Sequence, residues 1–249
     1  QANGLWIKYP EGQKYATRVG YENEIAEAII KKIGQLKAMG FYQHFHHSFH
    51  NWLAFYWNGF KQTTRYTYAI DDVSNMEEVY GNFDSNLRKN IRKAEGLVSV
   101  READTIEVIY GLNEKVYDRQ KKKIPFKRSF LEGIDRACKQ RGCRKIFQAI
   151  DSDGKIHAAV YIVWDDQCAY YLLGGSDPDL RNSQALSLLL WHAIQFVSGI
   201  VRSFDFEGSM MKSVEPLFRS FGAVQNPYFA ISKVSLPMNI PLRVARAFS

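Results

Sequence analysis

The chain has 249 residues, 46% of them hydrophobic and 14% aromatic, enough apolar material for one large domain or two small ones. No apolar run reaches the length of a bilayer span and no signal-peptide pattern opens the chain, so a membrane span is not expected. The net charge of +7 is concentrated: residues 85–145 hold 17 Lys+Arg against 8 Asp+Glu, which suits either an anionic partner or a set of solvated helix faces.

Residues 5–20 read as short extended pieces around Pro10 and Gly12, and Ile25–Met39 has the apolar spacing of a helix that stops near Gly40. From Phe41 to Ile70 the residues are β-prone aromatics. Asn58-Gly59 is a strong turn signal, so a hairpin of Phe49–Trp57 and Phe60–Ile70 is predicted. Phe83–Glu95 reads as a helix with Ser85 as cap, Val98–Arg101 as a short strand, and Thr105–Gln120 and Ser129–Arg141 as helices. The basic loop Lys121–Arg128 joins those two helices. Three strands follow, Lys145–Asp151, His157–Trp164 and Cys168–Leu173. Tight turns at Asp153-Gly154 and Asp165-Asp166 make them an antiparallel meander. Gly174–Pro178 reads as a loop, Ser183–Val197 as an apolar helix, Val201–Phe206 as a buried strand and Val214–Ser220 as a helix. Tyr228–Ser235 is a final strand, with a short helix from Pro237.

This order predicts an α+β protein with a mixed sheet flanked by helices. Residues 81–249 form the main domain, and residues 1–80 are an incomplete companion with too few strands to close a sheet alone. Cys138, Cys143 and Cys168 have no zinc spacing and leave one thiol unpaired, as expected in a reducing cytoplasm. His44, His46, His47 and His50 have no nearby Cys or Glu to complete a tetrahedral set, so no metal is expected.

The chemistry is expected around Phe204-Asp205-Phe206-Glu207-Gly208-Ser209 and the following Phe218-Arg219-Ser220-Phe221-Gly222. Acids at the mouth of a buried strand are costly unless paired or used. On a strand, Asp205 and Glu207 share one side and the two rings the other. Glu207, nearer the strand end, is the candidate base or amine clamp, and Asp205 the candidate for fixing a neighbouring loop. Alternatively both acids cap loops or pair with Arg202 and Lys212. Arg219 offers a fixed charge and a planar fork for a carboxylate, a phosphate or a developing oxyanion. Its alternative is a solvated helix residue. Arg88, Arg92 and Lys93 form a stripe suited to phosphates, or pair with Glu95 and Glu102. Lys127 and Arg128 are further phosphate candidates, or part of an exposed basic run. Trp57 and Tyr66, with Trp52 and Tyr56, either stack on sugar or base faces or fill a core. No Gly-x-Ser-x-Gly elbow, Walker loop or dinucleotide fingerprint is present.

The element order resembles the GNAT acyltransferase fold, and five segments narrow the resemblance to its FemAB-like or BioF2-like branch. These are Phe55-Tyr56-Trp57-Asn58-Gly59-Phe60, Arg65-Tyr66-Thr67-Tyr68, Arg88-Lys89-Asn90-Ile91-Arg92-Lys93-Ala94, Tyr170-Tyr171-Leu172-Leu173-Gly174-Gly175-Ser176, and the two motifs above. The branch includes the aminoacyl transferases that build peptidoglycan cross-bridges, some tied to methicillin resistance. The resemblance implies two GNAT-like halves, the N-terminal one incomplete here, with substrate in a cleft between or beside them. It implies a cytoplasmic bacterial enzyme that moves an aminoacyl or acyl group onto an amine of an anionic cell-wall or surface-glycan precursor. No tightly bound cofactor is implied; the donor is aminoacyl-tRNA or acyl-CoA, so tRNA is an expected partner. Glu207 stands near the amine, Phe218-Arg219 near the acyl carbonyl, and the two side chains are expected to meet in an open groove.

Two departures matter. Ordinary GNAT enzymes bind the pyrophosphate of acyl-CoA on an Arg/Gln-x-x-Gly-x-Gly/Ala loop at a helix N-terminus. The matching place reads Arg181-Asn182-Ser183-Gln184-Ala185-Leu186, with side chains where glycines would let a phosphate approach. Where the branch has Phe-Lys, this chain has Phe218-Arg219, which cannot exchange protons near neutral pH. The competing readings are an acyl-CoA-dependent N-acetyltransferase acting on an amino sugar and a non-catalytic tRNA or muropeptide binder.

Overall fold

The computed structural model describes residues 4–5, 7–36, 38–208 and 210–234. Ser209, Ser235 and the helix expected from Pro237 lie outside the described residues. In chain order the elements are α1 Tyr15–Gln35, β1 Gly40–His44, α2 Leu53–Trp57, β2 Lys61–Ile70, α3 Met76–Gly81, α4 Ser85–Glu95, β3 Ser99–Glu102, α5 Glu107–Arg119 and α6 Arg128–Gln140. Then come β4 Arg144–Ile150, β5 Ile156–Trp164, β6 Cys168–Ser176, α7 Ala185–Val197, β7 Ser203–Asp205, α8 Glu215–Ser220 and β8 Val224–Val234. One unit gathers the chain up to Thr67 and from Asn226 onward; the other is Tyr68–Gln225.

In the larger unit the strands run in the order β2-β7-β6-β5-β4-β3. β3 to β6 form an antiparallel series, β6 and β7 are parallel, and β7 pairs antiparallel with the end of β2. The sheet is mixed and flanked by helices, as expected. Alternation along its central strands explains the layering. Phe147, Ala149, Ala158, Val160 and Ile162 face a core that includes Leu87, Ile91 and Ala94 of α4 and the leucines of α7. Ile146, Ala159 and Tyr161 face Ile106, Ile109, Leu112 and Leu131, from and around α5 and α6. Both faces are apolar, so both are covered. α4 is capped by Asp84, whose carboxylate accepts the Asn86 N–H at 2.8 Å, rather than by Ser85.

In the smaller unit β1 pairs antiparallel with β8. Ala26 of α1, Ala54 and Phe55 of α2, and Phe45, Phe49, Phe60 and Ile231 form its core. The expected hairpin before residue 60 is absent: residues 53–57 are helical. Asn58-Gly59 ends that helix instead of turning two strands. Gly59 takes φ 76°, its N–H bonds to the Tyr56 carbonyl, and the Phe60 N–H reaches the Phe55 carbonyl at 3.0 Å. α1 begins at Tyr15, ten residues before its periodic apolar stretch.

Candidate functional site

β6 and β7 pair over only three residues each, Cys168–Tyr170 with Ser203–Asp205. Beyond that point β6 continues to Ser176, while the other chain segment parts from β6. The strand therefore ends at Asp205, and alternation does not carry to Glu207 as expected. Glu207 and Gly208 instead take left-handed φ values of 58° and 63°. The same stretch of β6 carries a β-bulge, because Ile162 faces Tyr171 and Tyr161 faces Leu173, which leaves Leu172 as the extra residue. A divergence of parallel strands at their C-terminal ends is where an open α/β sheet places its ligands.

The divergence is built on aromatic packing. Phe206 is 1% exposed and packs on Phe204, Phe221 and Phe218, the last stacked at 5.1 Å. Phe218 is itself buried and meets Tyr171 edge-on at 6.0 Å. The motif order predicts a substrate contact for Phe218; the structure makes it a core residue, because the inward face of the short helix α8 carries it. Asp205 is buried, and its carboxylate accepts the Glu207 N–H at 2.6 Å, so it holds the turn that presents Glu207. Glu207 is half-buried. Burial pushes the Tyr171 phenol upward, and it pushes the Cys168 thiol up to about 12.

Arg219 does not meet Glu207. Its Nε donates to Glu215 one turn earlier on α8, at 2.9 Å, and its side chain is 65% exposed. The same Glu215 oxygen accepts the Tyr68 hydroxyl at 2.9 Å, and Gln225 donates to that hydroxyl at 2.5 Å. Arg219 first and Tyr68 second hold the Glu215 carboxyl below its ordinary range, while burial and then Glu215 push the Tyr68 phenol up. The Tyr68 carbonyl also accepts the Phe206 N–H at 2.9 Å, so one residue anchors both the turn and the cluster. Sequence reasoning missed this cluster. Glu215 and Arg219 at i, i+4 were a readable signal, but the partnership with Tyr68 and Gln225 exists only through space.

The basic candidates divide. The Arg88 guanidinium donates to the carbonyls of Tyr80, Gly81 and Phe83 at 3.4, 3.0 and 2.7 Å, closing the end of α3 rather than facing a phosphate. Arg128 pairs with Glu107 and with Glu132, tying α6 to α5. Arg92, Lys93 and Lys127 are exposed and have no ion pair among the described residues. Arg88→Ala is expected to lower stability by about 1–2 kcal/mol in urea denaturation, whereas Arg92→Ala changes it by less than about 0.5 kcal/mol. In the smaller unit Trp57 is 61% and Tyr66 37% exposed, leaving both rings open to a ligand.

The Acetyltransferase (GNAT) domain model matches residues 81–212. The chain belongs to the GNAT acetyltransferase domain family. No curated protein matches the chain. Solved structures share its fold. FemX is 13% identical over 83% of this chain and 76% of its own, with a TM-score of 0.61. L-PGS from Bacillus licheniformis is 13% identical over 91% of this chain and 76% of its own, at 0.54. A tandem GNAT protein from the clavulanic acid biosynthesis pathway is 9% identical over 94% and 74%, at 0.53. At these identities the likeness is one of fold, and it bears out the FemAB-like GNAT architecture read in the sequence.

Within this GNAT fold, the segment after β6 leads into α7. Arg181–Ser183 form a single 3-10 turn, and Gln184 takes φ 63° immediately before the helix. Of the three non-glycine residues with positive φ among the described residues, Lys121 simply ends α5, with the Lys122 N–H returning to the Tyr117 carbonyl at 3.0 Å. The other two, Gln184 and Glu207, follow the adjacent parallel strands β6 and β7 at the same end of the sheet. Left-handed backbone at a non-glycine residue costs about 1 kcal/mol or more and tends to collect at working sites.

Proposed function

We propose that this GNAT protein is an N-acyltransferase of the FemAB-like branch. It moves an aminoacyl or acyl group onto an amine of an anionic cell-wall or surface-glycan precursor, with charged tRNA as the preferred donor. The reading rests on one observation above all: the loop before α7 puts a left-handed glutamine and flanking side chains where a coenzyme A pyrophosphate needs glycine. Attack is direct. Glu207, presented by the Asp205-held turn, receives the amine's proton, and Arg219, fixed through Glu215 and Tyr68, supplies positive charge to the acyl oxygen or a nearby phosphate. Arg92, Lys93 and Lys127 hold phosphates of the donor or acceptor. The similarity to FemX and L-PGS supports the fold this chemistry would use and leaves the substrate to experiment.

Mass spectrometry of amine acceptors incubated with the protein and either charged tRNA or acyl-CoA tests the reading. Acyl transfer from charged tRNA and none from acyl-CoA is the expected result. Transfer from acyl-CoA alone would favour the amino-sugar acetyltransferase and overturn the donor assignment.

A further inference from the structure

The corner between α6 and β4 holds two thiols that acyl transfer does not use. α6 ends at Gln140, and Gly142 takes φ 64°. The Cys143 N–H returns to the Cys138 carbonyl and the Gly142 N–H to the Lys139 carbonyl, both at 3.1 Å. These bonds and the left-handed glycine make a Schellman ending, which sets the residue after the glycine beside the one five positions earlier. In most helices that contact is between apolar side chains. Here both residues are cysteine, both are half-buried and reduced, and the Cys143 sulfur lies 3.5 Å from the Cys138 carbonyl oxygen.

We propose that Cys138 and Cys143 are a dithiol modification site that closes into an intramolecular disulfide on reaction with a small disulfide such as oxidised glutathione. One cysteine thiolate attacks a glutathione sulfur, forms a mixed disulfide and releases one glutathione thiolate. The second cysteine sulfur then attacks the protein-side sulfur and releases the other glutathione. The two cysteine protons end on the two glutathione thiols, and the two electrons lost by the cysteines reduce the glutathione disulfide. Burial first, and Cys143 second, push the Cys138 thiol up, which disfavours Cys138 as the first nucleophile. The helix ending already holds the residues together, so closure asks for side-chain rotation rather than a new path for the chain. It ties down a corner in which the Cys143 carbonyl accepts the Trp164 N–H at 3.1 Å and Asp135 pairs with Arg144 at 3.1 Å.

The test equilibrates the full chain across a series of reduced-to-oxidised glutathione ratios, then alkylates it under denaturing conditions and digests it with trypsin. Trypsin cuts after Lys139 and Arg141, between the cysteines, so a disulfide appears as two linked peptides. The expected result is a linked Cys138–Cys143 pair that grows with oxidation and disappears with dithiothreitol, while Cys168, on β6 and away from that corner, remains alkylated. Three alkylated thiols at every ratio, glutathione adducts that never close, or a disulfide through Cys168 would each overturn the proposal.

Discussion

Phe218→Ala is expected to lower stability by about 4 kcal/mol, the cost of emptying a phenyl ring from a packed core. Phe218 is 3% exposed, stacked on Phe206 and edge-on to Tyr171. Phe206 cannot move into the space, because it is also held by Phe204 and Phe221. Phe218→Leu, which keeps most of the volume, should lose less than half as much. Urea denaturation of the three proteins measures the difference. A Phe218→Ala protein as stable as the parent would return the ring to the role of a substrate contact.

Gly222→Ala is the second large effect, an expected loss of about 3 kcal/mol. Gly222 sits at φ 69°, and an added Cβ would lie 2.7 Å from the Asn82 carbonyl oxygen and 2.8 Å from the Asn82 Cβ. The left-handed backbone penalises alanine, and the clash is with main chain that α3 and α4 hold in place. Gly111 gives the opposite control. It lies inside α5, and a methyl group added there would meet nothing within 4 Å, so Gly111→Ala should stabilise by about 0.5–1 kcal/mol. Thermal or urea unfolding of both variants checks the pair of signs.

These two positions show what the sequence disclosed. The glycine after Phe221 was visible as a break, but its cause, the Asn82 backbone, belongs to a segment far away in the chain. The meander was legible because Asp-Gly and Asp-Asp turns bound strands with apolar residues on both faces, and the boundaries of β4 and β5 came within a residue of those predicted. Gly174-Gly175 read as a loop yet belong to β6, where pairing with Val160 and Ala159 overrides the low strand preference of glycine. Asn58-Gly59 read as a hairpin because a two-residue turn and a helix ending use the same residues; the helix won by returning the Phe60 N–H to Phe55. β8 begins at Val224 and passes through Pro227, a residue that marks a strand boundary in most sequences. At the candidate site, the sequence pointed to the Asp205–Glu207 stretch but not to its geometry. Alternation assumed a strand that continues, and the chain turns at Glu207 instead. Arg219 was likewise read without its partner Glu215, since a helix pair one turn apart is closer than any residue the motif order suggests.

The most direct test of the account is the turnover of Glu207→Gln in the product assay with whichever donor the parent protein uses, alongside its urea denaturation midpoint. The carboxamide keeps the size of the side chain and its left-handed backbone but cannot receive a proton. A kcat lower by about 100-fold with the midpoint unchanged is expected. A Glu207→Gln protein that turns over at the parental rate would contradict it.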